Sequence, residues 1–147
     1  MNRRRLIQAS AMTAVLGALL PLQALAAQPL RLVKHPSCDC CEGHAAYLRQ
    51  NGYDVTVEPS ADLDAFRAGL GIPKHLYGCH TILAGDYVIE GHVPAAAIAK
   101  LLTERPEIKG ISVPGMPLGS PGMSGRKTAP LVVYVIAGGE PVVFLTE

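Results

Sequence analysis

The chain of 147 residues carries a formal net charge of +1, and 49% of its residues are hydrophobic against 17% charged. No basic stripe of the kind that binds nucleic acid is present, so charge and composition argue against a nucleic-acid partner. The chain has no Trp and few other aromatic residues, and its length suits one small domain.

Residues 1–26 are predicted to be a secretory signal peptide. They begin with the basic group Arg3–Arg5, continue through a mostly apolar stretch over residues 6–20 and end at Ala24-Leu25-Ala26, the small-residue pattern of a cleavage site. An uncleaved membrane anchor is the alternative, and the polar residues inside the apolar stretch argue against it. The mature domain is therefore predicted to be residues 27–147, periplasmic and not attached to a membrane.

The export route stays open between the general secretory pathway and the twin-arginine pathway, because residues 2–7 (NRRRLI) also look like a twin-arginine signal. Removing the signal removes three arginines and no acids, so the mature chain has ten basic against twelve acidic residues. Thiols oxidise readily in the periplasm unless a metal or a reductase holds them. The role of the four cysteines has to be judged against that oxidising setting.

Alternating apolar residues predict strands, and apolar residues at helical spacing between start and stop signals predict helices. The predicted strands cover residues 30–34, 53–58, 79–83, 87–89, 131–136 and 141–145. The predicted helices cover residues 40–50, 62–70 and 94–104. Residues 110–130 are rich in Gly, Pro, Ser and Met and are predicted to form an extended loop.

This order of elements predicts an α/β fold. The first strand–helix–strand unit needs a crossover, so its two strands are expected to be parallel, whereas the later hairpin adds antiparallel strands. We therefore predict a thioredoxin-like domain with a mixed parallel/antiparallel sheet flanked by helices and an appended C-terminal β-hairpin.

Three of the four cysteines lie within the stretch PSCDCCEGH, at the start of the first predicted helix. Unpaired backbone N–H groups and the helix dipole stabilise a thiolate there, which makes it a better nucleophile and a better metal ligand. Cys38 and Cys41 have the C-x-x-C spacing of a redox pair, while Cys40 next to Cys41 suits a soft metal. Two structural disulfides are a further reading, but the loops they would close are short and gain little stability.

Cys79 begins the strand that, in thioredoxin-like folds, starts beside the redox motif. We therefore expect the sulfur atoms of all four cysteines to meet at one site. Thiolates in this number select Cu(I), zinc or an iron–sulfur cluster. Adjacent cysteines bridge several Cu(I) ions more readily than they surround one tetrahedral Zn²⁺, so copper is favoured over zinc. His80 can join Cys79 as a ligand only if the strand is irregular there, because neighbouring strand residues point to opposite faces.

Met116 and Met123 are candidate soft ligands in the predicted loop, because each follows Pro-Gly and no other methionine occurs after residue 26. The alternative is that they fill gaps over the core. His92 is a candidate ligand in a Glu-Gly-His-Val-Pro segment, with a helix cap or a turn as the structural alternative.

These motifs resemble those of the CopG-like copper-resistance family, long annotated only as a domain of unknown function. The resemblance covers nearly the whole mature chain and rests on five segments in family order: residues 36–41, 79–81, 87–94, 113–117 and 119–123. It implies a periplasmic thioredoxin-like domain that holds copper in a cysteine-bridged cluster of several ions, with a role in copper resistance and redox cycling of the metal. Other periplasmic copper-handling proteins are the partners that this role implies.

One position departs from the family pattern. The family commonly carries an aromatic residue three positions after the last cysteine of the motif, and here that residue is His44. His44 lies one helical turn beyond Cys40 and Cys41, where it is a candidate extra ligand or a change in the polarity of the site. The competing functions are a thiol–disulfide oxidoreductase that uses Cys38 and Cys41, and a zinc-stabilised binding module.

Overall fold

A computed structural model describes residues 28–147 of the chain. The signal peptide predicted for residues 1–26 lies outside the described residues. A single sheet of seven strands runs through the structure, with three α-helices and one short 3₁₀ turn beside it. Within residues 28–147, none of the helices has the length and apolar character needed to cross a membrane.

The strands and helices follow one another as the sequence predicts, with one additional strand. The strands are β1 (Leu30–Lys34), β2 (Val55–Pro59), β3 (Thr81–Ala84), β4 (Tyr87–Glu90), β5 (Gly110–Ser112), β6 (Val132–Val135) and β7 (Val143–Thr146). The helices are α1 (Asp39–Gln50), α2 (Leu63–Gly69) and α3 (Ala95–Glu104), and a 3₁₀ turn covers Lys74–Leu76.

The strand order in the sheet is β2-β1-β3-β4-β5-β6-β7. The predicted mixture of strand directions is confirmed, because β1 and β2 are parallel while β3 pairs antiparallel with both β1 and β4. The C-terminal hairpin β6–β7 is also confirmed. It belongs to the same sheet, because β5 runs parallel to β4 and antiparallel to β6 and so joins the hairpin to the rest.

Several predicted boundaries differ from the observed ones, and two of the differences change which residues are assigned to strands near the site. Residues 110–112 form β5 and not loop, and this strand is too short for its apolar alternation to stand out from the flanking Gly and Pro residues. β3 begins at Thr81, two residues later than predicted, so Cys79 and His80 lie in an irregular segment before it. This segment carries two of the candidate ligands.

Alternate strand residues face two separate apolar clusters, as the period of two in a strand requires. One cluster joins Leu32, Ile82 and Ile89 of the sheet to the buried faces of α1 and α3. The smaller cluster on the other face includes Val88 and residues around the 3₁₀ turn. α1 is therefore held by its buried face, and its N-terminus lies beside the segment that precedes β3.

Candidate metal centre

The first turn of α1 presents three cysteines at one point. Cys38 is the N-cap residue of α1, and its side chain makes no capping hydrogen bond. Cys40 and Cys41 follow in the first turn. The approach to the helix is held by the buried Lys34, whose ammonium group donates to the carbonyl oxygen of Pro36 at 3.3 Å and to that of Cys38 at 3.2 Å.

Cys79 brings the fourth sulfur to the same point. Its Sγ lies 3.2 Å from Sγ of Cys38, 3.1 Å from that of Cys40 and 3.4 Å from that of Cys41. All four Sγ atoms lie within 4.8 Å of one another. The expected meeting of the four sulfurs is therefore present in the structure.

The described form of the site is partly oxidised. A disulfide joins Cys38 to Cys41, while Cys40 and Cys79 are free. The pair with C-x-x-C spacing therefore forms a disulfide. The second disulfide of the structural alternative does not occur among these four residues. Burial raises the pKa of the Cys79 thiol to about 12, and its hydrogen bond with Cys40 adds to the effect. Cys79 therefore keeps its proton at neutral pH unless a metal ion displaces it.

A buried ion pair positions the segment that carries Cys79. Arg67 Nε lies 2.8 Å from Glu90 Oε1, and only 7% of the arginine side chain and 0% of the glutamate side chain are exposed. Both residues hold Gly78: its N–H donates to Glu90 at 2.8 Å, and its carbonyl accepts from Arg67 at 2.7 Å. The Thr81 hydroxyl donates to the other Glu90 oxygen at 2.6 Å. The residues on both sides of Cys79 are thereby fixed.

The loop over residues 114–123, which contains both Pro-Gly-Met segments and is called the Pro-Gly-Met loop, contacts the cysteine-bearing segments through its glycines. Gly122 has φ +79° and lies against the backbone of Gly43 and His44, where a side chain would collide with α1. Gly115 also has a positive φ, but a side chain there would meet no neighbouring atom. Its N–H donates to the carbonyl oxygen of Tyr77 at 2.9 Å, close to Cys79 in the chain. The two glycines therefore fasten the loop to the two segments that carry the cysteines.

The methionines themselves lie toward the surface. Met116 is 59% exposed, so it does not fill a gap over the core. Met123 is partly buried. The glycine that precedes each methionine contacts a segment that carries a cysteine. Both methionines therefore remain candidates for binding metal at the edge of the site.

The three candidate histidines lie together beneath the cysteines. His44, His80 and His92 are each 0% exposed, and their ring centroids form a triangle with sides of 4.8, 4.9 and 4.9 Å. His92 does not cap α3, whose N-cap is Pro94; it instead holds the Pro-Gly-Met loop through a bond to the Pro121 carbonyl at 2.6 Å. The irregular segment before β3 allows Cys79 and His80 to face the same site.

Burial lowers the pKa of all three histidines, so the rings are neutral at pH 7. The pKa of His44 falls to about 3, and burial and the neighbouring His92 are the causes. The pKa of His80 lies well below its usual value for the same reason, with His44 and His92 adding to the effect. Burial also lowers the pKa of His92, which its bond to Pro121 partly opposes. Neutral imidazoles can bind a metal ion without first losing a proton.

A surface cavity of about 340 Å³ reaches the site at Cys79. Arg67, Asp62, Asp64 and His35 line it beside the thiol. The sulfur centre therefore has a polar opening to solvent, while the histidines behind it are enclosed.

The comparisons with known proteins agree with this geometry. Residues 76–123 match a family described as "Protein of unknown function, DUF411". Two solved structures, described as "Copper resistance protein copG- Form 2" and "Copper resistance protein copG- Form 1", are each 36% identical to this chain with a TM-score of 0.75. Each match covers 82% of this chain and 98% of the matched chain. The chain belongs to the CopG-like family. No curated protein matches it.

Membership of the CopG-like family accounts for the segments that were recognised, but several residues that build the site were missed. Lys34, Arg67 and Glu90 carry charges in buried positions, and their roles were not predicted. A signal was present for two of them: Arg67 lies four residues after Leu63, on the apolar face of its helix, and Glu90 ends an otherwise apolar strand. A charge on a buried face requires a partner, and here each charge partners the other.

Proposed function

We propose that this CopG-like protein binds Cu(I) through Cys38, Cys40, Cys41 and Cys79 and serves copper resistance. The observation that carries the proposal is the placement of the four Sγ atoms within 4.8 Å of one another. Soft sulfur ligands prefer Cu(I), and the matched structures are described as copper resistance proteins. The signal peptide predicted for residues 1–26 supports action in the periplasm, where other copper-handling proteins would deliver or receive the metal.

The number of ligands supports a cluster of several copper ions in which cysteines bridge. A single tetrahedral zinc ion is the competing occupant, because a Zn–S bond of about 2.3 Å gives an S–S edge of about 3.8 Å. Each of the other three sulfurs lies 3.1 to 3.4 Å from Sγ of Cys79 and would move away from it by a few tenths of an ångström to surround such an ion. Sγ of Cys38 and Sγ of Cys41 are bonded to each other and would separate by about 1.8 Å once the disulfide is reduced. Geometry alone admits both metals, and ligand softness favours copper.

The Cys38–Cys41 disulfide has to open before all four sulfurs can bind metal. Opening it takes two electrons and two protons. Conversely, when the dithiol closes to a disulfide it releases two electrons, which is the number that reduces two Cu(II) ions to Cu(I). Closure of the dithiol with reduction of two Cu(II) ions is one half of the copper cycle that we further propose, and an external dithiol reductant would supply the two electrons and two protons that reopen the disulfide.

Copper content per chain, measured by elemental analysis after anaerobic loading of the fully reduced protein with Cu(I), tests the proposal. A chelator of Cu(I) present during loading removes loosely bound metal. We expect more than one copper ion per chain, and a loss of copper in the Cys40→Ser variant, which leaves the Cys38–Cys41 pair intact. Zinc offered in equal amount should not displace the copper. Retention of zinc in place of copper would overturn the assignment of the metal.

A thiol–disulfide oxidoreductase is the second candidate, because the structure joins Cys38 to Cys41. That function predicts reduction of insulin disulfides at a rate that Cys38→Ser abolishes and Cys40→Ser leaves unchanged. The high pKa of Cys79 argues against a third thiol as the attacking group at neutral pH. Insulin reduction without tight copper binding would favour this second function.

A further inference from the structure

The hydrogen bonds of the buried histidines determine which nitrogen of each ring carries the proton. Nε2 of His44 lies 2.9 Å from the Val93 carbonyl oxygen, which can only accept, so this nitrogen carries the proton of the ring. In a neutral ring Nδ1 of His44 is then an acceptor. Nδ1 lies 2.7 Å from Nε2 of His80, so His80 is the donor and carries its proton on Nε2.

The same reasoning applies to His92. Its Nδ1 lies 2.6 Å from the Pro121 carbonyl oxygen and therefore carries the proton. The two remaining nitrogens, Nδ1 of His80 and Nε2 of His92, have no hydrogen-bond partner although they are fully buried. In these tautomers both nitrogens are unprotonated, and each carries a lone pair. Buried lone pairs without partners are rare in proteins and call for an explanation.

The rings of His80 and His92 also lie close enough to Sγ of Cys79 to share a metal ion with it. One nitrogen of His80, one nitrogen of His92 and Sγ of Cys79 all lie within 4.8 Å of one another. Metal-binding histidines generally donate their other N–H to a carbonyl or a similar acceptor, which fixes the ring and its tautomer. His92 does so directly through Pro121, and His80 does so through His44, which is anchored in turn on Val93.

We propose that Cys79, His80 and His92 form a second metal site of mixed sulfur and nitrogen ligands, and that His44 is a positioning residue that holds His80 in the tautomer required for binding. This site shares Cys79 with the proposed Cu(I) site and in that respect extends the proposed function. Imidazole ligands suit copper and zinc ions alike. An apolar aromatic ring at position 44 would provide no acceptor for His80.

The tautomers can be measured before any metal is added. Long-range ¹H–¹⁵N NMR of the metal-free protein is expected to show protons on Nε2 of His44, Nε2 of His80 and Nδ1 of His92. In His44→Phe the ring of His80 loses its acceptor and should show a mixture of tautomers. His44→Asn places an amide oxygen near the position of Nδ1 and should restore the wild-type pattern. A proton on Nδ1 of His80 in the wild-type protein would overturn the role given to His44.

Metal binding is best tested with the Cys38–Cys41 disulfide intact, because the site of four sulfurs is then closed. Zn(II) is the probe, since it is diamagnetic and does not oxidise thiols. We expect Zn(II) to shift the resonances of Nδ1 of His80 and Nε2 of His92, and Cys79→Ser to weaken this binding. His44→Phe should raise the dissociation constant by about 10- to 100-fold, in line with the loss of a supporting hydrogen bond. His75→Ala, at an exposed position, serves as the control and should leave binding unchanged.

The two proposals fail separately. If Zn(II) leaves both nitrogens unperturbed while the reduced protein still binds Cu(I), the second site is wrong and the copper function stands. If Zn(II) shifts both nitrogens while the reduced protein binds no Cu(I), the second site stands and the copper function is wrong. Equal affinity for Zn(II) in His44→Phe and the wild type would reduce His44 to a structural role.

Discussion

The Arg67–Glu90 pair offers the sharpest test of how the site is held. In Arg67→Met, Glu90 stays fully buried with only the Gly78 N–H and the Thr81 hydroxyl as partners. Removing one member of a buried ion pair costs about 3–5 kcal/mol of folding free energy, because the other charge is left uncompensated. Arg67 also gives up its bond to the Gly78 carbonyl. We therefore expect a loss at the upper part of that range at pH 7.

The loss should depend on pH in a defined direction. Burial raises the pKa of Glu90 in the folded protein, and Arg67 opposes this rise. A carboxyl group whose pKa is raised on folding binds more protons in the folded state, so stability falls as pH rises from the unfolded pKa through the folded pKa. Removing Arg67 raises the pKa of Glu90 further and widens the pH range over which stability falls. The penalty of Arg67→Met should accordingly shrink at pH 4, where Glu90 is protonated.

Urea unfolding of the metal-free, disulfide-intact protein at pH 7 and pH 4 measures both effects. The double variant Arg67→Met with Glu90→Gln removes both charges and should recover part of the stability. Its loss of stability relative to the wild type should be the same at pH 7 and pH 4. Arg31→Met breaks an exposed pair with Glu58 and is the matched control, with an expected cost of about 0–1 kcal/mol. A penalty for Arg67→Met that is below about 1 kcal/mol or equal at the two pH values would refute the reasoning.

Three further outcomes are expected. Thiol titration in denaturant should count two free thiols per chain before reduction and four after it, whereas four thiols before reduction would contradict the Cys38–Cys41 bond. Gly122→Ala should lower the melting temperature more than Gly52→Ala, because both glycines have positive φ but only Gly122 meets neighbouring backbone; equal shifts would show that packing on α1 contributes nothing. Asp62→Ala should cost about 1 kcal/mol in urea unfolding through loss of the N-cap bond to the backbone of α2, and no change would argue that the cap is replaced by water.

The elements with strong periodicity could be predicted from the sequence. β1 was predicted at its observed bounds, and α1 and α3 differ from prediction by one residue at one end. These segments combine a regular apolar spacing with clear start or stop signals, which local physics suffices to specify. β5 lacks both, because it has three residues and is held by hydrogen bonds from β4 and β6 on its two sides. Its existence depends on tertiary pairing.

The cysteines could be placed from chain order, but the histidines could not. A cysteine cluster after the first strand and a cysteine before the third strand meet because the fold puts those two points side by side. His44, His80 and His92 come from three different segments, and nothing in their spacing shows that they turn inward to form a triangle. The two-residue delay in β3 decides the matter for His80, since a regular strand would have directed it away from Cys79.

A core that served stability alone would not contain these rings. An unsatisfied buried polar atom costs about 1–3 kcal/mol, and both His80 and His92 carry one. Apolar residues of similar shape would avoid that cost. The rings of His44 and His92 instead donate hydrogen bonds to the carbonyl oxygens of Val93 and Pro121, and one nitrogen each of His80 and His92 lies within 4.8 Å of Sγ of Cys79. A metal ion that binds the two unsatisfied nitrogens best explains why these rings are buried there.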